Sequence, residues 1–373
     1  MEEIKVNAFT GRYGKRLLLV AAASFALAGL VSCAKQQPIK IGVLVPLTGT
    51  GSVLVDLKDG LTLAVDELNA RGGINGRKLQ LIVEDDHSNA EEAVADFGKL
   101  EASAHPLFFV SALSYLTVPL APLAAKANVV LFALAVASPE ITVGNDWVFR
   151  FYSGAAEEAS AAATIIQNLG VKRLGILYIN DSYGKPVYDL TTQLLPATRD
   201  STIAIPFDVQ TTDFHAQIGT LMDTSAIYVI ALAANYPTIL SQLREMSYRG
   251  KIICGSGAAL PSTIQMDPTQ GVYVAAPVIF NPSYLFAREA KARFEGRFSK
   301  PFSQYSANGY DLIKMVGGLL ENEKVTRSSL KALLGKGLMY SGTFGSLVLR
   351  PGEQSIPFAL YPTQVVDKSL KYQ

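Results

Sequence analysis

Between residues 39 and 257 the chain alternates short, almost continuously apolar runs with longer stretches that turn apolar every third or fourth position. The runs IKIGVLVPL (39–47), RKLQLIVEDD (77–86), PLFFVSA (106–112), VVLFALAV (129–136), VKRLGILYIN (171–180), STIAIPFDV (201–209), SAIYVIALA (225–233) and KIICGSG (251–257) predict strands. Strands with so few polar positions are those of a parallel sheet, covered on both faces. The intervening stretches predict helices. In 57–73, Leu61, Ala64, Val65 and Leu68 share a face and Gly72-Gly73 end it. In 89–102, Asn89 is a natural cap, with Glu91 and Glu92 in the first turn. Further helices are predicted over 114–128, 155–170, 181–196, 215–223, 236–248, 283–299 and 306–323, and the Gly- and Pro-punctuated tail 340–367 predicts extra β-structure. The β-α alternation runs once to residue 136 and restarts near 155, which predicts an α/β protein of two doubly wound parallel sheets in tandem. Wound sheets bind ligands beyond the carboxyl ends of their strands, so two facing sheets offer a cleft for a small molecule.

Composition narrows this picture. The chain has 373 residues, 49% hydrophobic and 17% charged, enough for a large core in two domains. A net charge of +1 gives no electrostatic case for nucleic acid. The N-terminus carries a basic cluster, Arg12, Lys15 and Arg16, followed by an uncharged apolar stretch from Leu17 to Val31. That stretch is shorter than the roughly 20 residues of a membrane span and suits a signal-peptide core. The segment Leu30-Val31-Ser32-Cys33 resembles a bacterial lipobox. The resemblance implies a signal peptide over 1–32, lipidation of Cys33 and a tether over 33–38, hence an exported protein anchored by lipid at the periplasmic side or cell surface. The alternative is an ordinary cleavage site beside a free cysteine. Cys254, the second cysteine, then has no partner, and the fold is held by its core instead of disulfides. His87, His105 and His215 lack metal-site spacing, and Asp85-Asp86-His87 reads as a solvated strand end. GTGSVL (49–54) starts as a dinucleotide fingerprint but has Leu54 at the third glycine position, no GxxxxGK[ST] loop occurs, and CGSGA fails the GxSxG pattern. Neither an enzyme nor a cofactor is expected.

Several segments, IKIGVLVPLTG, GLTLAVDELNARGGINGRKLQLIVEDD, VASPEIT, VFRFY, LGILYINDSYGKPV and YSANGYDL, closely resemble type I periplasmic solute-binding proteins of the leucine/isoleucine/valine-binding class, receptors of ABC importers. The resemblance spans about residues 39–367. It implies two flavodoxin-like lobes joined by a hinge of crossovers, the first 39–153 plus 284–340 and the second 154–283 plus 341–373. It also implies ligand contacts at Ser114, Ala135, Ala137, Tyr183, Asn235, Gly257 and Tyr305. Amino-acid binders of this class typically carry a glutamate where this chain has Ser256-Gly257, so the expected ligand shifts from a plain branched-chain amino acid to an amino-acid-like molecule, an amide or an apolar or aromatic carboxylate. Asp181, Asp208 and Asp213 are possible substitutes for the missing acid. The implied partners are that ligand, the permease and ATPase of an importer, and the membrane through the anchor, with the protein a monomer. The alternative is a ligand sensor that signals to a regulator or receptor.

Overall fold

The computed structural model describes residues 37–196, 201–281 and 283–373. The expected signal peptide and the lipidation at Cys33 lie outside them.

Five strands of the first half, β1 (Ile39–Val45), β2 (Leu79–Asp85), β3 (Phe108–Ala112), β4 (Val130–Leu134) and β5 (Val148–Phe151), pair in parallel. Every residue of β3 and β4 is buried, as their unbroken apolar sequences require. The second half repeats the design with β6 (Leu174–Ile179), β7 (Ile203–Phe207), β8 (Ala226–Ile230), β9 (Lys251–Cys254) and β10 (Tyr273–Pro277). The tail adds β11 (Leu338–Gly342), β12 (Gly345–Leu349), β13 (Ser355–Ile356), β14 (Leu360–Val366) and β15 (Ser369–Tyr372). The sheet orders are β13-β5-β4-β3-β1-β2 and β15-β14-β10-β9-β8-β6-β7, with β11 and β12 forming a separate hairpin. The order reverses beside β1 in one sheet and beside β6 in the other, which is where wound sheets open a crevice.

The tail departs from the expected division. The resemblance implies that residues 341–373 belong to the second lobe, yet β13 pairs in parallel with β5 of the first sheet, and only β14 and β15 join the second. The open edge of β5 draws it in: Arg150 N–H donates to Gln354 O, Arg150 Nε donates to Ser355 Oγ at 2.9 Å, and Phe358 packs edge-on against Phe151.

Helix Val55–Ala70 lies against helix Gln304–Leu319 so closely that a Cβ on Gly60 would sit 2.0 Å from Ser306 O, and one on Gly309 would sit 2.3 Å from Leu57 O. The two glycines let the helices approach and carry C-terminal sequence back onto the first lobe. The helix expected over 114–128 is broken into Ser114–Thr117, a 3-10 turn Val118–Leu120 and Ala121–Ala127. Pro119 and Pro122 lack the N–H that a continuous helix needs. Cys254 is a buried free thiol. Among the described residues no helix is long and apolar enough to cross a membrane, and no cluster of His, Cys, Asp and Glu is built to hold a metal ion.

Candidate functional site

The loops that leave the carboxyl ends of both sheets converge on a narrow cavity of about 30 Å³. Leu113 and Ser114 follow β3, Ala135 and Ala137 follow β4, and Tyr152 follows β5. From the second sheet come Tyr183 after β6, Ala231 to Ala233 after β8, and Ser256 and Gly257 after β9. Tyr305 enters from the first turn of helix Gln304–Leu319 and Glu158 from the first turn of helix Ala155–Asn168. Leu113 (φ 68°) and Ala135 (φ 51°) both adopt left-handed backbone where β3 and β4 meet the cavity. Such conformations are unfavourable for residues with a Cβ, and they concentrate at functional sites.

Of the residues singled out from sequence, Ser114, Ala135, Ala137, Tyr183, Gly257 and Tyr305 all line this one cavity. Asn235 is a correction: it does not line this cavity. The chain turns at the 3-10 segment Ala233–Asn235, so Ala231 to Ala233 present themselves and Asn235 falls one turn further on, where that segment packs against Gly49–Leu54. The aromatic beside it, Tyr236, is fully buried; its hydroxyl donates to Val229 O and accepts the N–H groups of Ala231 and Gly255, tying the two cavity loops together.

A carboxyl does line the cavity, from the first turn of helix Ala155–Asn168. Glu158 is 1% exposed; Tyr183 Oη donates to its Oε1 at 2.6 Å and Ser256 Oγ donates to its Oε2 at 3.2 Å. Burial pushes its pKa up, with the two hydroxyl donors pulling the other way. Its helix starts at Gly154, whose N–H donates to Glu157 Oε2 at 2.7 Å, while Ala155 N–H donates to Ala137 O of the first-sheet loop. Of the substitutes expected from sequence, Asp213 pairs with His215 at the surface, Asp208 is exposed, and Asp181 Oδ1 accepts the N–H groups of Tyr183 and Gly184 at the start of the next helix. Tyr152 Oη and Ser256 Oγ lie 3.5 Å apart, and Gln304 Nε2 donates to Ser256 O at 3.1 Å, so Ser256 joins the Glu158 network to the first lobe. At the opposite wall Ser114 Oγ accepts the Ser138 N–H at 3.2 Å, which leaves its hydroxyl hydrogen to donate elsewhere. Glu158 and Tyr152 were not anticipated as cavity residues. A second correction concerns Asp86, which is wholly buried and not part of a solvated strand end.

The chain belongs to a periplasmic binding protein family, whose model matches residues 38–369. It is similar to the Leu/Ile/Val-binding protein BraC3 of Rhizobium johnstonii, 27% identical over 253 residues that cover 65% of this chain and 67% of that protein. It is also similar to the chemotactic signal transduction system substrate-binding protein BasB of Halobacterium salinarum, 25% identical over 289 residues, 74% of this chain and 68% of that one. Its fold matches the crystal structure of the branched-chain amino acid transporter substrate-binding protein LivJ from Streptococcus pneumoniae in complex with isoleucine, with TM-score 0.80 at 21% identity, covering 90% of this chain and 98% of that one. The class and the two-lobed type I fold expected from sequence are thus established. The relatives are binding and transport proteins, and the family implies a location outside the cytoplasm.

Proposed function

We propose that this protein captures a small amino-acid-like or amide ligand between its lobes and delivers it to an ABC importer. The observation that carries this reading is the cavity itself, walled by loops of both sheets, with a hydroxyl donor at Ser114 on one side and a buried carboxyl at Glu158 on the other. A ligand with an acceptor at one end and a hydrogen-bond donor at the other satisfies both; a simple apolar carboxylate satisfies only the first. Ser114, Ala135, Ala137, Tyr183, Gly257 and Tyr305 are the proposed contacts, with Glu158 added. At about 30 Å³ the cavity gains room for a ligand by parting of the lobes, which then close over it by hinge bending. Lipidation of Cys33 would tether the receptor to the membrane and raise its effective concentration at the permease. No chemistry on the ligand is proposed.

Calorimetric titration of the mature protein with leucine, phenylalanine, benzoate and short amides tests the reading. Binding of an amino acid or amide, weakened at least about tenfold by Ser114→Ala and by Tyr183→Ala in folded protein, is the expected result. Unchanged affinity in both variants would place the site elsewhere. Similarity to BasB supports a second reading, in which the closed form signals to a receptor partner; pull-down of a permease or of a transducer by the ligand-loaded protein separates the two.

A further inference from the structure

A groove of about 920 Å³ lies apart from the cleft and shares no lining residue with it. Its two walls belong to different lobes. One is helix Arg288–Phe298, which is tied to helix Val55–Ala70 of the first lobe where Arg293 Nε donates to Glu67 Oε1 at 2.8 Å. The other is Lys368 and the strand β15 at the edge of the second sheet, together with helix Pro261–Ile264. Each wall brings two cations, Arg288 and Lys291 from the first and Lys368 and Lys371 from the second. The acid that lines the groove, Glu295, is already engaged: its Oε1 accepts the Phe302 N–H at 3.1 Å and lies 4.0 Å from Lys291 Nζ. Lys368 pairs with Asp267 at 3.0 Å, while among the described residues Arg288 and Lys371 have no acidic partner. Ile264, Ile279, Phe302 and Leu370 are largely buried and supply apolar lining. Tyr284 and Ala287 also line the groove, and the residues between them, Leu285 and Phe286, are 61% and 68% exposed, an apolar lip at its side.

Like charges gathered around one groove repel each other, and the apolar surface beside them is favourably removed from water. An occupant that is anionic at one end and apolar at the other answers both. A second copy of this chain does not, because a symmetric contact would set the same cations against themselves. We infer that the groove is a second binding site, separate from the cleft, which receives a soluble amphipathic anion: a carboxylate head with a short acyl or aryl tail. The head sits among Arg288, Lys291, Lys368 and Lys371, and the tail lies on Ile264, Ile279, Phe302 and Leu370. The volume is that of a pocket able to enclose a whole small molecule. Arg288, Lys291, Lys368 and Lys371 are exposed, and exposed cations hold a carboxylate only weakly. The tail therefore supplies most of the affinity, and the cations select for the charge.

The test is calorimetric titration of the mature protein with octanoate, octanol and acetate, which present head with tail, tail alone and head alone. Octanoate binding at least about tenfold more tightly than either is expected, with the advantage over octanol shrinking as salt is raised. Arg288→Glu and Lys371→Glu should each weaken octanoate at least about threefold and together remove its advantage over octanol. Both positions are exposed, and unfolding curves check that the variants keep their fold. Ser114→Ala alters the cleft and not the groove, so octanoate binding should survive it. Octanol binding as tightly as octanoate, no octanoate binding, an advantage untouched by the double substitution, or octanoate binding lost in Ser114→Ala would each overturn the site. Co-sedimentation with phosphatidylglycerol vesicles in place of octanoate binding would make the same cations a membrane contact, and would overturn it as well.

Discussion

Glu158 keeps its place because position 255 carries no side chain. A Cβ on Gly255 would lie 2.1 Å from Glu158 Oε1 and 3.0 Å from the Tyr236 hydroxyl. Gly255→Ala therefore turns the carboxyl away from Tyr183 and Ser256 or shifts the strand end. We expect a loss of about 1–3 kcal/mol in denaturant unfolding together with at least about tenfold weaker ligand binding; a variant with parental stability and affinity would refute the assigned geometry. Asp86 sets a pH dependence whose sign follows from burial. Its pKa is about 7 in the folded chain against 3.8 ordinarily. Below pH 4 both folded and unfolded forms hold the proton and the contribution to stability is complete. As pH rises the unfolded form releases its proton first, and the contribution is lost through about pH 7, at most about 4 kcal/mol. Asp86→Asn retains an acceptor for the Ser88 N–H, so its melting temperature should match the parent at pH 4 and exceed it at pH 8. A variant equally destabilised at both pH values would contradict this. The sequence made the strand-end cavity positions legible, because in a wound sheet the loops after the strands must face the crevice. It hid Glu158, which looks like any acid in a helix's first turn. The signal was its spacing, three residues after Ala155 and four before Ala162, on the buried stripe of that helix. Asp86 was misread because consecutive strand-end acids are usually wet.

Tyr236 does for two loops what no single residue in either could do. Its ring is buried under the second sheet, and its hydroxyl joins the ends of β8 and β9, whose following residues form one wall of the cavity. Tyr236→Phe leaves the Ala231 and Gly255 N–H groups without this acceptor. The expected cost is about 1–3 kcal/mol of stability, with weaker ligand binding because the loops lose their common anchor; chemical denaturation and titration measure both, and undiminished affinity would show that the loops hold themselves. At this scale the long β-α alternation was legible because parallel strands buried on both faces leave little room for polar residues. The short elements escaped. β5 and β10 have only four and five residues, too few to display a period, and helix Arg327–Gly335 interrupts a polar stretch. The return of β13 to the first sheet is a tertiary choice, made by the open edge of β5 and by Phe358, which local pattern does not encode.

The whole molecule is poised by a few contacts between its lobes. Gln304 begins a helix packed on the first sheet's side, and its amide donates to the carbonyl of Ser256, which follows β9 of the second. Both residues are buried, Gln304 at 1% exposed, so the bond exists only while the lobes are together. A bond of this kind contributes about 1 kcal/mol net, or about fivefold in the balance between closed and open forms. The ligand supplies the remaining bias through contacts with both lobes, since a ligand shifts such a balance only by its differential affinity for the two forms. Gln304→Ala removes the bond while leaving in place the side chains that line the cavity. The ligand-free variant should show a larger radius of gyration by small-angle scattering, and its affinity should fall about fivefold, because part of the binding free energy now goes into closing the lobes. Saturating ligand should restore the parental radius. A variant whose ligand-free radius and affinity both equal the parent's would mean that the lobes are held together elsewhere, with the packing of the turn Gly49–Leu54 on Ala233–Asn235 the next contact to break.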